Sequence, residues 1–385
     1  MPGNVVLVSG VRTAVGKFGL GFKDVPAQRL GAIVIKEAIK RSGLQLHDIE
    51  EVIMGNVVSA GLGQNPARQA AIYAGIPYDV GSITVNKVCG SAVMLGSSSI
   101  KAGDSQIIVT GGMENMSAAP HLIKNMRWGT KFGDATISDS LLNDGLWDVY
   151  NNFHMGITGE RIAEKFGITR EEADEFALMS HQKALQAINN RKFDEEIVPV
   201  EVKGNIIKKD EGVRTDTSLE KLQTLTPVFK KNGILTAGNS SQLSDGAAAL
   251  VLASESKAKE LGIKPRARIL DYTTSGTKPE DVMEAPIFAV RKLLGKTGLS
   301  IDEIDLIEHN EAYASASIAI AKELEITPEK LNVNGGAIAL GHPIGCSGAR
   351  ILVTLLHALE ERKLKRGLAT LCLGGGNAVA MIIER

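Results

Sequence analysis

The chain has 385 residues, 44% apolar and 23% charged, which is enough apolar material for a large core and excludes the profile of a disordered chain. With 43 basic against 44 acidic residues the formal net charge is -1, so no global field draws nucleic acid or an anionic membrane, and an anionic ligand has to be met locally. No apolar run approaches the roughly 20 residues that span a bilayer.

The opening Met1-Pro-Gly-Asn-Val-Val-Leu-Val enters a strand-like run at once, without the basic and apolar regions of a signal peptide. The closing Ile-Ile-Glu-Arg385 is not a peroxisomal address. A cytoplasmic protein is therefore expected. Strand-like runs at Val5–Ser9, Ile107–Thr110, Ala248–Ala253 and Val379–Ile383 alternate with helical patterns, and that alternation argues an α/β fold. Over Arg29–Arg41 the residues Leu30, Ile33, Val34 and Ala38 recur at helical spacing before Gly43. Thr169-x-x-Glu172 and Ser300-x-x-Glu303 read as capping boxes, and Thr327-Pro328 reads as a further helix start. The length suggests two or three domains at about 100–200 residues each.

Between about Ser117 and Leu243 the composition turns richer in Asn, Lys, Glu and Arg, with one strongly helical stretch from Thr169 to Asn190; this reads as an insertion. Within it Lys124, Arg127 and Lys131 lie among apolar residues, in either a solvated loop or an interface. The flanking regions read as a divergent repeat. His47-Asp-Ile-Glu-Glu-Val-Ile resembles Asp302-Glu-Ile-Asp-Leu-Ile, each leads to a Val-Asn pair at Val85-Asn86 and Val333-Asn334, and each half then reaches a Gly-rich strand end. Two such halves place equivalent loops on one face.

Four segments carry reactive groups. Thr84-Val-Asn-Lys-Val-Cys89-Gly-Ser-Ala-Val reads as strand, tight turn and helix, with Cys89 at the helix N-terminus, where unpaired N–H groups favour a thiolate and Gly90, Ser91 and Ala92 leave room for a substrate. A buried inert thiol is the alternative. His342 stands among Gly341, Pro343 and Gly345 on a constrained loop; it titrates near neutrality and suits a base. Cys372 precedes Gly374, Gly375 and Gly376, whose backbone donors suit an oxyanion while the thiol moves a proton, though a core thiol before a hairpin reads equally well. Asn310, in Glu308-His-Asn-Glu-Ala-Tyr313, offers a neutral amide or an ordinary turn, and His309 beside it reads as structural or exposed. Three cysteines at wide spacing fit neither a disulfide framework nor a metal site, and no metal is expected.

Together these motifs resemble the thiolase family over essentially the whole chain. Asn86-Lys-Val-Cys89-Gly-Ser, Gly111-Gly-Met-Glu-Asn-Met-Ser117, His154-Met-Gly-Ile-Thr, Thr236-Ala-Gly-Asn-Ser-Ser241, Asn310-Glu-Ala-Tyr, Gly341-His-Pro-Ile-Gly and Cys372-Leu-Gly-Gly-Gly occur in the family's order. The resemblance implies a five-layer αβαβα sandwich of duplicated βαβ-rich halves: 1–117 with 244–268 as the N-terminal half, 118–243 as an inserted loop domain for coenzyme A binding and tetramerisation, and 269–385 as the C-terminal half. It implies a reversible Claisen condensation of two acetyl-CoA to acetoacetyl-CoA and CoA, with these thioesters as substrates and no cofactor. By the same resemblance Cys89 takes the acyl group, His342 activates it and Cys372 removes the proton from the second acetyl-CoA. Asn310, through a held water, forms one oxyanion site together with His342, and the backbone N–H groups of Cys89 and Gly374 form the other.

For coenzyme A the similar positions are Arg214 and Ser241, with Ala237, Leu146, His154 and Met155 along the pantetheine path, and the Lys124–Lys131 segment resembles the family's tetramerisation loop. Tyr313, where phenylalanine is usual, and Val282-Met-Glu-Ala-Pro286, which lacks the usual Gly-Thr-Gly, bear on the shape of the acyl pocket. Ser240-Ser-Gln-Leu-Ser-Asp245 and Gly345-Cys-Ser-Gly348 look closer to degradative members, the alternative reading; His154-Met155 favours the acetoacetyl-specific branch.

Overall fold

The structure is a computed structural model that describes residues 3–91 and 93–385; Met1, Pro2 and Ala92, the last of which was expected to leave room for substrate, lie outside the described residues. Its frame is a mixed sheet of eleven strands. The main ones are β1 (Val5–Thr13), β2 (Glu51–Gly55), β3 (Gly81–Val85), β4 (Ile107–Asn115), β5 (Ser244–Ser254), β6 (Ala267–Gly276), β7 (Leu306–His309), β8 (Arg366–Leu373) and β9 (Asn377–Glu384). They lie in the order β7-β8-β9-β6-β1-β5-β4-β2-β3.

The repeat read from the sequence is visible in the pairing. β2 runs parallel to β4, which is followed by antiparallel β5 and β1; β7 runs parallel to β8, which is followed by antiparallel β9 and β6. Even the outer strand β3 has its counterpart, a single parallel bridge from Leu331 to Ile307 just before Val333-Asn334. The halves join where Val5–Leu7 pairs with Ala267–Ile269.

Alternation along the strands sorts side chains into layers. In β5, Ala247, Ala249, Val251 and Ala253 pack outwards under helices α1 (Ala27–Ser42) and α2 (Pro66–Ala74). Ala248, Leu250 and Leu252 face inwards, a period-two pattern in which both faces are buried. A register shift between Leu7 and Ser9 flips the parity of β1, so that Val6 and Val11 share the outer face. The inner cluster draws on strands of both halves around α3 (Val93–Ala102) and α8 (Ser347–Glu361). α8 is buried over most of its surface, with Ile351, Leu352, Val353, Leu355 and Leu356 in the core and Ser347, Arg350 and Thr354 buried along a polar stripe at helical spacing. The outer face of the C-terminal half is covered by α6 (Ala285–Thr297) and α7 (Ala314–Glu323). Five layers result, α1/α2, strands, α3/α8, strands and α6/α7.

The long excursion leaves β4 at Asn115 and returns at β5 from Ser244, although the two strands are neighbours. It carries α4 (Gly156–Phe166) and α5 (Arg170–Asn189), and the Thr169 capping box forms as expected. It is tied to β1 by buried Arg12, which donates to Glu196 at 2.6 Å and to both oxygens of Asp210 at 2.6 and 3.0 Å. Two expectations of helices fall short. Ser300 caps a single 3-10 turn over Ile301–Glu303, because β7 begins three residues later. Thr327-Pro328 opens only a turn, closed by the Lys330 N–H on the Thr327 carbonyl, because Leu331 is already committed to the bridge with Ile307.

One glycine fixes how closely β4 meets the loop before α8. A Cβ on Gly112 would lie 2.0 Å from the Gly345 carbonyl oxygen and 2.8 Å from Cys346 Cα, so no side chain fits unless that loop moves. Gly112→Ala is expected to cost about 1–3 kcal/mol, the usual penalty of overpacking. Urea denaturation reads it, and an unchanged midpoint would contradict this close approach.

Candidate active site

The reactive segments meet where strands end. Cys89 follows β3, Asn310 follows β7 and Cys372 lies at the end of β8, the carboxyl ends at which open α/β sheets hold ligands. His342 comes to the same place on the loop Gly341–Cys346 that feeds α8.

Cys89, expected at the N-terminus of the helix, lies on the turn ahead of it; the described helix starts at Val93. That turn is strained. Val88 has φ 49, a left-handed conformation that a β-branched residue rarely adopts. It is held by the Asn86 side chain, which accepts the Val88 N–H at 3.0 Å, and by the Ser91 hydroxyl, which donates to the Val88 carbonyl at 2.8 Å and accepts the Lys87 N–H at 2.9 Å. The Cys89 carbonyl accepts the Gly348 N–H at the start of α8, at 3.0 Å.

Cys89 Sγ lies 3.3 Å from His342 Nε2, and the Asn310 amide nitrogen lies 3.3 Å from the same Nε2. The backbone N–H groups of Cys89 and Gly374 favour the ionised form of the sulphur. Cys372 is buried with its thiol 3.7 Å from Met283 Sδ, in a cluster with Tyr313 and Ala312. It lies close enough to Cys89 that a charge on one raises the pKa of the other. Among the described residues no group of three or more His, Cys, Asp or Glu is placed to hold a metal.

Depth changes the protonation expected from sequence. Burial pushes the Cys89 thiol well above its ordinary value, outweighing the N–H groups that favour the thiolate. Burial, aided by the charge of Arg350, pushes His342 down to about 3, so it does not titrate near neutrality. Burial also pushes Cys372 up to about 12. Burial thus acts in one sense on all three groups, favouring the thiol forms of Cys89 and Cys372 and the neutral form of the imidazole. His309, the other histidine of the Asn310 segment, is buried and structural; its Nδ1 lies 2.9 Å from the Ser317 hydroxyl oxygen.

A cavity of about 400 Å³, within the range of small-molecule sites, leads to His342. Leu146, His154, Arg214, Ala237, Ser241 and Tyr313 line it, as the sequence reading expected, together with Lys17, Phe18 and Phe229, which it did not single out. Met155 does not line it; its side chain packs instead against the cluster that holds Ile162, Tyr313 and Cys372. His154 stacks on Phe229 at 4.8 Å, and Phe229 meets Tyr313 edge-on at 5.7 Å, which fixes the aromatic wall. Arg214 is exposed, with its backbone N–H on His181 Nδ1 at 3.2 Å.

Two buried carboxylates hold the site loops and had no role in the sequence reading. Glu114, pushed up to about 7 by burial, accepts from the Asn56 amide at 2.8 Å and from the N–H groups of Val57, Val58 and Gly345 at 3.1, 3.2 and 2.8 Å. Glu311 accepts from Ser180 at 2.7 Å, Asn332 at 2.7 Å and the Ile338 N–H at 3.1 Å, joining the Asn310 turn to the chain that leads into the His342 loop.

Comparison with known proteins gives a consistent result. The model of the thiolase N-terminal domain matches residues 5–256, and that of the thiolase C-terminal domain matches residues 263–385. An acetyl-CoA acetyltransferase of Cupriavidus necator is 52% identical over 390 residues, covering 99% of both chains. One of Pseudomonas aeruginosa is 50% identical with the same coverage, and a probable acetyl-CoA acyltransferase of Staphylococcus aureus is 51% identical over 389 residues, again covering 99% of both. The crystal structure of the Bacillus anthracis acetyl-CoA acetyltransferase superposes with a TM-score of 0.97 at 44% identity, over 99% of this chain and 98% of that one.

Proposed function

The chain belongs to the thiolase family and is an acyltransferase, and from that premise we propose that it catalyses the reversible condensation of two acetyl-CoA to acetoacetyl-CoA and CoA. The observation that carries the reading is Cys89 Sγ at 3.3 Å from Nε2 of His342, which itself lines the cavity that would take the pantetheine arm.

The steps balance in protons. His342 Nε2 takes the Cys89 proton as sulphur attacks the acetyl carbonyl, and the backbone N–H groups of Cys89 and Gly374 receive the oxyanion. The C–S bond to CoA breaks, and the departing thiolate takes its proton from Cys372, leaving a Cys372 thiolate beside an imidazolium. That charge stabilises a thiolate which burial otherwise opposes. Cys372 then removes a proton from the methyl carbon of the second acetyl-CoA; the enolate oxygen is met by the His342 Nε2–H and the Asn310 amide. The carbanion attacks the acetyl-enzyme, and Cys89 leaves as thiolate and recovers its proton from His342.

Arg214 at the cavity mouth is the group to meet the coenzyme's phosphates, with Leu146, His154, Ala237 and Ser241 along the arm, Met155 behind it and Tyr313 at the acyl end. No further cofactor enters this scheme. Residues 1–117 with 244–268 and residues 269–385 act as the two halves, and 118–243 as the loop domain. Within that loop domain Trp128 is 81% exposed and Phe132 fully so, which supports a homotetramer in which other copies cover this segment. The three free thiols fit a reducing, cytoplasmic setting, and among the described residues no helix is long and apolar enough to cross a membrane.

Thiolysis of 3-ketoacyl-CoAs of increasing length, with products followed by mass spectrometry, tests the reading. Turnover confined to acetoacetyl-CoA is expected; equal or better turnover of long chains would assign the enzyme to the degradative branch.

A further inference from the structure

The mechanism needs His342 to present a bare Nε2 to Cys89, and what holds the ring in that state is a separate question from the reacting groups. The answer lies on the far side of the ring. His342 Nδ1 is 2.5 Å from the Ser347 hydroxyl oxygen, and that hydroxyl is also 2.8 Å from the Pro343 carbonyl. A carbonyl only accepts, so the single hydroxyl proton of Ser347 is committed to Pro343. The hydroxyl oxygen is then left as an acceptor, and among the described residues the partner that satisfies it is a proton on Nδ1.

We propose that Ser347 is a positioning residue that fixes His342 in the Nδ1–H tautomer, through the sequence His342 Nδ1–H to Ser347 Oγ–H to the Pro343 carbonyl. The inference rests on the reading that His342 is the base for Cys89. It accounts for both contacts on the other nitrogen. With Nε2 bare, the Cys89 S–H donates to it at 3.3 Å and the Asn310 amide N–H donates to it at 3.3 Å; with Nε2 protonated, neither group has an acceptor there.

The arrangement differs in kind from a carboxylate-supported histidine. A carboxylate behind Nδ1 stabilises the imidazolium, whereas a hydroxyl fixes the tautomer and adds no charge. Ser347 sits at the first position of α8, held by buried packing on both sides, and one turn later Arg350 places a positive charge near the ring. Hydroxyl and arginine act in the same sense: the ring is neutral and correctly protonated at rest, and it becomes cationic only while it holds the proton of Cys89.

The test uses the full chain. Nitrogen-15 NMR of histidine-labelled wild-type protein near neutral pH, with the His342 signal assigned by its loss in His342→Asn, should show a neutral ring with pyridine-type Nε2 and pyrrole-type Nδ1. Ser347→Ala should lose that fixed tautomer and lower kcat for acetoacetyl-CoA thiolysis by about 10–100-fold, the usual effect of removing an orienting partner, with KM nearly unchanged. Ser347→Thr, which keeps the hydroxyl, should recover most of kcat, while the isosteric Ser347→Val should not; this pair decides the matter if the alanine variant folds poorly. A wild-type ring protonated on Nε2, or equal kcat in the threonine and valine variants, would overturn the proposal. Absence of thiolysis in wild-type protein would instead remove the functional reading, and the NMR signal would still report the tautomer.

Discussion

Cys89→Ser is expected to lower turnover by about four orders of magnitude or more while the protein keeps its fold, as loss of a nucleophile does elsewhere. The replacement removes one sulphur from a fully packed turn and adds no volume. The chemistry, by contrast, is intolerant. His342, pushed down to about 3 by burial, is a weak base, and it can take a proton from a thiol in the transition state only because sulphur carries negative charge well and two backbone N–H groups favour its ionised form. An alkoxide is several orders harder to form in the same place. The assay is loss of acetoacetyl-CoA in the presence of CoA, with intact-protein mass spectrometry for the acetyl-enzyme and thermal melting as the control. Retained turnover in the serine variant, or acetylation at another residue, would remove Cys89 from the reaction.

That weak base also marks where sequence reading stops. Glycines and a proline around His342, three glycines after Cys372, and a cysteine between a strand and a helix were legible because backbone must come close to a ligand in such places. The helix at Ala27–Ser42 was legible through the spacing of its apolar residues; α8 was not singled out, although Ser347, Arg350, Thr354 and His357 recur along it at helical spacing. The protonation states were misread. An isolated motif suggests an ordinary histidine and an activated thiolate, and only the depth of the site, set by segments more than 200 residues apart in the chain, pushes both the other way.

The supporting residues were hidden by the same nonlocality. Glu114 and Glu311 stand inside motifs that were read, yet a carboxylate becomes a clamp only when particular N–H groups reach it: Gly345 for the first, Ile338 for the second. Ser347 entered the sequence reading only as part of the Gly345-Cys-Ser-Gly348 run that looks closer to degradative members. Its importance depends on the direction of one hydroxyl proton, and that is set by the Pro343 carbonyl.

Cys372→Ser is expected to separate the half-reactions that Cys89→Ser abolishes together. Acetyl transfer from acetyl-CoA to Cys89 needs His342 and the oxyanion donors, which the variant keeps, so incubation with acetyl-CoA should still yield acetyl-enzyme, though more slowly because the leaving thiolate loses its proton donor. Condensation needs a strong base at the methyl carbon. Burial pushes the Cys372 thiol up to about 12, so its thiolate, once formed beside the imidazolium, is strongly basic, while a serine hydroxyl there forms no anion under the same conditions. The loss in condensation and in thiolysis should be about 10²–10⁴-fold, the range of a positioned acid–base group. Quench-flow mass spectrometry reads both stages. Acetyl-enzyme that accumulates without acetoacetyl-CoA formation places Cys372 at the carbon acid; loss of acetylation and condensation in equal measure would place it instead in support of Cys89.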